Sequence, residues 1–299
     1  MIAFDRLPSP ILFQGSARLA YRDPCALYHE GVFHLFFTLV ETEADGRVFL
    51  YVATSKSVNL LKWSPPRLLT PRDQNLNFSS PGNVVRHAGK WVLCLQTYPR
   101  PSGEKYGNAS ARIFSMRSAD LEAWDTPTLL KVKGPDVAEG EMGRMIDPYL
   151  IQDKDRPGGW WCFYKQNGVS ISCSTDLETW LYSGRAEAGE NACVIVDRDE
   201  YVLFHSPENG IGIKRSRDLK QWRDGGVLYL GQESWPWARG RLTAGFALDL
   251  RREPGVGKVL LFFHGSGPED ERTFFDTHAS LGLAWSDTLK DWKWPGRGI

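Results

Sequence analysis

The chain lacks most of what would mark it for several large classes of function. Lys and Arg number 36 and Asp and Glu number 36 among 299 residues, so the formal net charge is zero. That balance excludes the electrostatic footprint of a general nucleic-acid binder or of a protein held on anionic membranes. No apolar run approaches the roughly 18 residues that a membrane-spanning helix requires. The opening MIAFDRLPSPILFQGS has no basic stretch followed by an apolar one. No secretory leader is visible in it, and the expected location is the cytoplasm, although a trimmed secreted chain would read the same way. Cysteine is scarce as well: five residues, an odd count, with no Cys-x-x-Cys pair. Cys94, Cys162, Cys173 and Cys193 sit inside apolar or alternating runs, which reads as buried free thiols rather than a metal or redox site. Neither a metal nor a cofactor is expected.

What the chain does have is aromatic residues and glycine: 12 Trp, 15 Phe, 10 Tyr and 29 Gly, a mix that favours strands and tight turns. One signature recurs five times. It reads SADLEAW (118–124), STDLETW (174–180) and SRDLKQW (216–222), with looser copies SVNLLKW (57–63) and SDTLKDW (286–292). Ahead of each copy stand two apolar strands joined by a turn, then a third strand: FLYVATS, ARIFSMRS, GVSISCS, GIGIKRS and LGLAWS. The alternation in VSISCS and IGIKRS is that of a half-buried strand. The stretch after the first four tryptophans (PPRLLT, TPTLLKV, GRAEA, GGVLYL) supplies a fourth strand. Four antiparallel strands repeated five times predict an all-β, five-bladed β-propeller.

The expected organisation is a single domain over residues 1–299. Its blades fall near 22–77, 78–140, 141–188, 189–240 and 241–299. After Trp292 too little chain remains for a good outer strand. LPSPILFQG near the N-terminus resembles SPPRLLT closely enough that residues 9–15 are expected to close blade five. The Asp-Leu-x-x-Trp residues need no functional role: the Asp accepts turn N–H groups and the Trp covers outer strands.

In a propeller the first strand of each blade lines the axis, and the starts of those strands converge on one face. Asp23, Asp147 and Glu190 are expected at this position in blades one, three and four. Blades two and five carry Ser79, Ser80 and Asn83, and Arg241 and Thr243. An Asp before Pro is by itself a common turn starter; three acids on one face of a repeat are a candidate catalytic set. The second strands end on the same face at Thr38, Thr97, Lys165, His205 and His264. Of these, Lys165, His205 and His264 are candidate substrate contacts, as are Ser80 and Asn83. Arg22, Arg144 and Arg241 flank the acids and can orient hydroxyls or a carboxylate of a ligand. Trp235 and Trp237 are either a stacking wall or packing, and the segments 98–110 and 265–279 have the length of functional rims.

Three short motifs carry a resemblance. Tyr21-Arg22-Asp23-Pro24 followed by ALYHEGVFHLFFT resembles the opening blade of glycoside hydrolase family 43. Met145-Ile146-Asp147-Pro148-Tyr149 resembles that family's third-blade motif, and Gly189-Glu190-Asn191 stands where its fourth-blade glutamate is found. The fourth blade departs from the Glu-Gly-Pro common in the family. Family 32 fructosidases share the fold, but their Asn-Asp-Pro-Asn-Gly is absent. The resemblance implies that Asp23 is the general base, Glu190 the general acid, and Asp147 the residue that holds the acid and modulates it. It further implies inversion, with water attacking opposite a leaving group that needs a proton.

The expected function is therefore an exo-acting glycosidase that removes a pentose or furanose from an oligosaccharide. Arabinofuranose or xylose ranks ahead of fructofuranose or galactofuranose. Two other readings are a five-bladed glycoside phosphorylase, with the Arg, Lys and His residues on phosphate, and a non-catalytic carbohydrate-binding propeller. A sugar partner is expected, with neither nucleic acid nor membrane. The oligomeric state is left open.

Overall fold

A computed structural model describes residues 2–270 and 275–296. The chain opens with a short strand, β1 (Ile11–Phe13), and then builds blade one from β2 (Leu19–His29), β3 (Val32–Thr42), β4 (Val48–Ser57) and β5 (Arg67–Leu68). Blade two contains β6 (Phe78–His87), β7 (Lys90–Thr97), β8 (Ile113–Ser118) and β9 (Thr128–Leu129). Blade three contains β10 (Ile146–Gln152), β11 (Trp160–Lys165), β12 (Val169–Ser174) and β13 (Leu181–Ala186). Blade four contains β14 (Glu190–Asp197), β15 (Glu200–Ser206), β16 (Ile211–Ser216) and β17 (Arg223–Leu228). Blade five contains β18 (Arg241–Leu250), β19 (Lys258–Ser266), β20 (Ser280–Ser286) and β21 (Trp292–Lys293). Each sheet is an antiparallel meander, and the first strands β2, β6, β10, β14 and β18 pack against one another around the ring. The result is a five-bladed propeller, as the repeat predicts.

Blade five is closed by both ends of the chain. β1 pairs antiparallel with β20 through Ile11–Gly282 and Phe13–Leu281, and Leu283 donates to the Pro10 carbonyl at 2.8 Å. β21 pairs with the other half of the same strand, at Trp285 and Ser286. Pairing β20 along both halves removes the open edge on which another strand could add.

The recurring seven-residue signature is a turn with a specific hydrogen-bond plan. In blade three Ser174 Oγ accepts the N–H groups of Asp176 and Leu177, and Asp176 Oδ1 accepts those of Glu178 and Thr179. Ser118 with Asp120, and Ser216 with Asp218, repeat the plan. Asn59 Oδ1 replaces the Asp in blade one. The signature Leu lies in the left-handed region in all five copies: Leu60, Leu121, Leu177, Leu219 and Leu289 have φ between 61° and 67°. That conformation is costly for a residue with a Cβ. It is held because each of these leucines is buried and its N–H is accepted by the serine that opens the turn. The tryptophans cap the blades as expected, Trp180 fully buried and Trp63 and Trp222 each donating to the carbonyl of the signature Leu.

The core lies between blades and is rich in aromatic rings, with Phe33, Phe36, Phe37, Phe163, Phe204, Phe262 and Phe263 all fully buried. The five cysteines are free thiols. Burial pushes Cys94 and Cys193 up to about 12, which keeps them as unreactive thiols at neutral pH.

Candidate active site

Every first strand carries a bulge at the same place. One extra residue sits between Arg22 and Cys25, Ile146 and Tyr149, Glu190 and Cys193, and Thr243 and Phe246, and two between Ser79 and Asn83. The bulged residues are Asp23, Ser80, Asp147, Asn191 and Ala244, with φ between 41° and 54°. Bulges of this kind re-aim side chains beside functional sites. The ring corrects one expectation: Asp23 and Asp147 are equivalent, but Glu190 is not their equivalent. It stands one residue earlier, opposite Ser206, at the position that Arg22, Ser79, Ile146 and Thr243 occupy in the other blades.

A bulge turns its N–H away from its own sheet, so that group needs an acceptor elsewhere. The preceding blade supplies it from the second strand. Asp23 N–H donates to His264 Nδ1 at 3.0 Å, Ser80 N–H to Thr38 Oγ1 at 2.7 Å, Asp147 N–H to Gln96 Oε1 at 2.5 Å, and Ala244 N–H to Ser206 Oγ at 2.9 Å. In blade three the corresponding residue is Lys165, an ammonium that cannot accept. There Asn191 N–H donates instead to Oδ2 of Asp147, at 3.2 Å.

These bulges line a cavity of about 490 Å³ on one face of the ring, within the range of small-ligand sites. Asp23, Asp147, Glu190, Arg22, Ser80, Arg144, Arg241 and His264 all face it, so eight of the residues singled out in the sequence meet there. A narrower space of about 30 Å³, lined by segments of all five blades, shares Asp23, Ser80, Asp147 and Asn191 with it.

Three expected contacts lie elsewhere. Asn83 pins blade two to blade three, its Nδ2 on the Leu150 carbonyl and its Oδ1 on the Leu150 N–H, at 2.7 and 2.8 Å. His205 is buried, and its Nδ1 accepts the Gly189 N–H at 3.0 Å. Gly189 is forced to be glycine: a Cβ there would lie 1.7 Å from the Ser206 carbonyl oxygen. His205 therefore fixes the backbone just ahead of Glu190 instead of facing the cavity. Burial brings His205 down to about 4, and the charges of Lys214 and then Lys165 add to the lowering, so Lys165 acts on this imidazole and not on the cavity. Thr97 is likewise displaced, its side chain engaged with Arg112, and the equivalent place belongs to Gln96. Trp235 and Trp237 stack on each other and on Phe263, as packing and not as a cavity wall.

The rim segments do contribute. Tyr98 and Tyr106 come from 98–110, and Phe275 from 265–279, of which residues 271–274 lie outside the described residues. Gln96, Ser206 and Asn191 are further lining residues that sequence reasoning did not select; Asn191 was visible only as a departure from the family motif.

Asp23 is 9% exposed and well held. Thr38 Oγ1 and Ser80 Oγ donate to Oδ2 at 2.9 and 3.1 Å, and Asn191 Nδ2 to Oδ1 at 3.4 Å. The Arg22 guanidinium stands 3.7 Å away. Burial acts to lower Arg22, but Asp23 and Asp276 outweigh it and raise it above its ordinary value. Asp276 is itself gripped by Arg100 at 2.8 and 2.9 Å. Asp147, 6% exposed, is pushed up to about 7 by burial first and then by the charges of Glu190 and Asp23. Glu190 is exposed, and its carboxyl makes no hydrogen bond among the described residues. Burial brings His264 down to about 4, so its ring is neutral with the proton on Nε2, because Nδ1 is the acceptor. Arg144 spends Nε on the Gly107 carbonyl at 3.1 Å and rests over the Tyr98 ring.

No family model and no curated protein matches the chain. Solved structures do. An exo-1,5-α-L-arabinanase from a bovine ruminal metagenomic library aligns with TM-score 0.59 and 15% identity over 89% of this chain and 93% of its own. A thermostable family 43 glycoside hydrolase aligns at 0.61 and 14%, over 95% and 96%. A family 117 glycoside hydrolase from Zobellia galactanivorans aligns at 0.65 and 14%, over 95% and 91%. At such identity the likeness establishes a shared fold along nearly the whole chain.

Proposed function

We propose that the protein is a glycoside hydrolase that acts in the 490 Å³ cavity with Asp23 as general base and Glu190 as general acid. One observation carries the reading: three carboxyls from three blades line one cavity, and their environments differ sharply. Asp23 accepts three hydrogen bonds and has the Arg22 guanidinium 3.7 Å away. Asp147 is driven toward the protonated form near neutral pH. Acid and base roles at one bond call for carboxyls in different surroundings, here a buried, hydrogen-bonded Asp23 and an exposed Glu190. The charge of Glu190 is one of the causes that push Asp147 up. Glu190, the exposed member, faces the cavity and is placed to hand a proton to a departing oxygen that leaves toward solvent. Arg22, Arg144 and Arg241 orient sugar hydroxyls.

The finer reading is an inverting, exo-acting enzyme on a terminal pentose or furanose, arabinofuranoside or xyloside first. The fold shared with an arabinanase and a family 43 hydrolase supports that choice. The test is a screen of aryl pentofuranosides and pentopyranosides with the first-formed anomer followed by NMR. Turnover with inverted configuration is expected. Retention would overturn the inverting assignment, and no turnover on any glycoside would leave a sugar-binding propeller.

The three cavity arginines favour one second reading, a phosphorylase with phosphate as nucleophile. Lys165 and His205, outside the cavity, no longer contribute to it. Turnover that depends on added phosphate and releases a sugar phosphate would select it.

A further inference from the structure

Five residues share the left-handed bulge: Asp23, Ser80, Asp147, Asn191 and Ala244. Asn191 is different, because it reaches both buried acids at once. Its main-chain N–H holds Oδ2 of Asp147 at 3.2 Å, and its side-chain Nδ2 points to Oδ1 of Asp23 at 3.4 Å. The orientation of the amide is dictated by Ser206. That hydroxyl accepts the Ala244 N–H at 2.9 Å and donates its own proton to Asn191 Oδ1 at 2.9 Å. Flipping the amide would set its oxygen against the Asp23 carboxylate, so Nδ2 must face Asp23. Among the described residues it is the one side chain that donates to Oδ1; the other two donors, Thr38 and Ser80, both serve Oδ2.

We infer that Asn191 is a positioning residue that sets the orientation of the Asp23 carboxyl, while its backbone anchors Asp147. The activity readout below rests on the glycosidase reading; the spectroscopic one does not. The groups that bear on Asp23 come from every element around it. Arg22 stands 3.7 Å from it, Asp147 is the second buried acid of the cavity, and the neutral His264, its Nδ1 also 3.7 Å from Oδ1, offers no proton there. On Asp147 act Glu190 and Asp23 against charge, and Arg144 and the Asn191 N–H in its favour. Asp276 and Arg241 act at one remove, through Arg22 and His264. Asn191 is thus the neutral donor shared by two acids whose charges oppose each other.

Two variants separate positioning from mere folding. Asn191→Gly suits the backbone, since glycine adopts φ near 53° without strain and keeps the N–H on Asp147. It deletes only the amide. Asn191→Asp keeps the shape and places a carboxylate against Asp23. A donor lost from the ionised form raises the pH at which that form appears. The acid limb of kcat/KM, which reports an ionised base, should therefore move up by about half to one pH unit in Asn191→Gly. It should move further in Asn191→Asp. The Asp23 carboxyl followed by carbon-13 NMR, and assigned with Asp23→Asn, should shift its midpoint the same way without any substrate. A fall in kcat/KM by one factor at every pH, with both the limb and the carboxyl resonance unmoved, would overturn the inference. A moved resonance in a protein that turns over no glycoside would leave the inference standing and remove the glycosidase reading.

Discussion

The main-chain N–H of Asp23 is held by Nδ1 of His264, 3.0 Å away across the seam where blade five meets blade one. Thr38, Gln96 and Ser206 do the same service at three of the other four seams, so the place accepts an alcohol, an amide or a neutral imidazole. Imidazole alone among these loses its acceptor on protonation. Burial holds His264 near 4, below its unfolded value of about 6.5, so the unfolded chain takes up the proton first. The stability it contributes is present above pH 6.5 and is lost as pH falls toward 4.

His264→Gln should keep the bond and flatten that acid-side loss. His264→Leu should leave a buried N–H unpaired and cost about 1–3 kcal/mol at pH 7. Urea unfolding of the three proteins at pH 7 and pH 5 checks this; equal acid sensitivity of His264→Gln and the parent would contradict it.

Asp147 acts with the opposite sign. Its folded value, about 7, stands above the ordinary 3.8 of an aspartate, so the folded protein binds the extra proton between those limits. Its contribution to stability therefore falls as pH rises from 4 to 7. Asp147→Asn keeps an oxygen for the Asn191 N–H and carries no charge. It should gain stability relative to the parent on going from pH 4.5 to pH 8, on the order of 2–4 kcal/mol. A constant difference between the two pH values would show that Asp147 is not forced toward its neutral form.

Deleting residues 2–15 removes β1 and leaves half of the outer edge of β20 unpaired. On that edge only the two-residue β21 remains. The shortened chain should unfold at lower temperature and scatter light before it melts, because an exposed strand edge recruits further chains. Unchanged melting and no scattering would mean that the ring does not depend on this closure.

Much of the fold could be read from the residues because its turns are chemically explicit. Ser, then Asp, Leu and Trp at fixed offsets, is a bonding plan, and it repeats wherever the third strand ends. Pro24 and Pro148 likewise mark the bulges at Asp23 and Asp147. Blade four has Ala192 in that place. With no proline to mark the bulge, Glu190 was aligned with the two aspartates when Asn191 is their true equivalent. The misplaced second-strand residues have the same origin. Thr97 and His205 are each one residue from Gln96 and Ser206, and a slip of one residue in a strand turns a side chain to the other face. Tyr98, Tyr106 and Phe275 belong to loops, whose path no periodicity encodes. The left-handed leucines had no sequence signal, since their conformation is imposed by the bonded turn around them.

The central claim is that Glu190 gives a proton and Asp23 activates water, and one comparison tests it. Glu190→Gln and Asp23→Asn are assayed by kcat/KM on a glycoside with a poor alkyl leaving group and on one with an activated aryl group. An alkyl alcohol cannot depart without a proton, so Glu190→Gln should slow that substrate by about 10²–10⁴-fold and largely spare the aryl glycoside. Asp23→Asn should slow both to a similar degree, because each needs the attacking water. If Glu190→Gln matches the parent on both substrates, Glu190 is not the acid and the assignment of the three carboxyls is wrong.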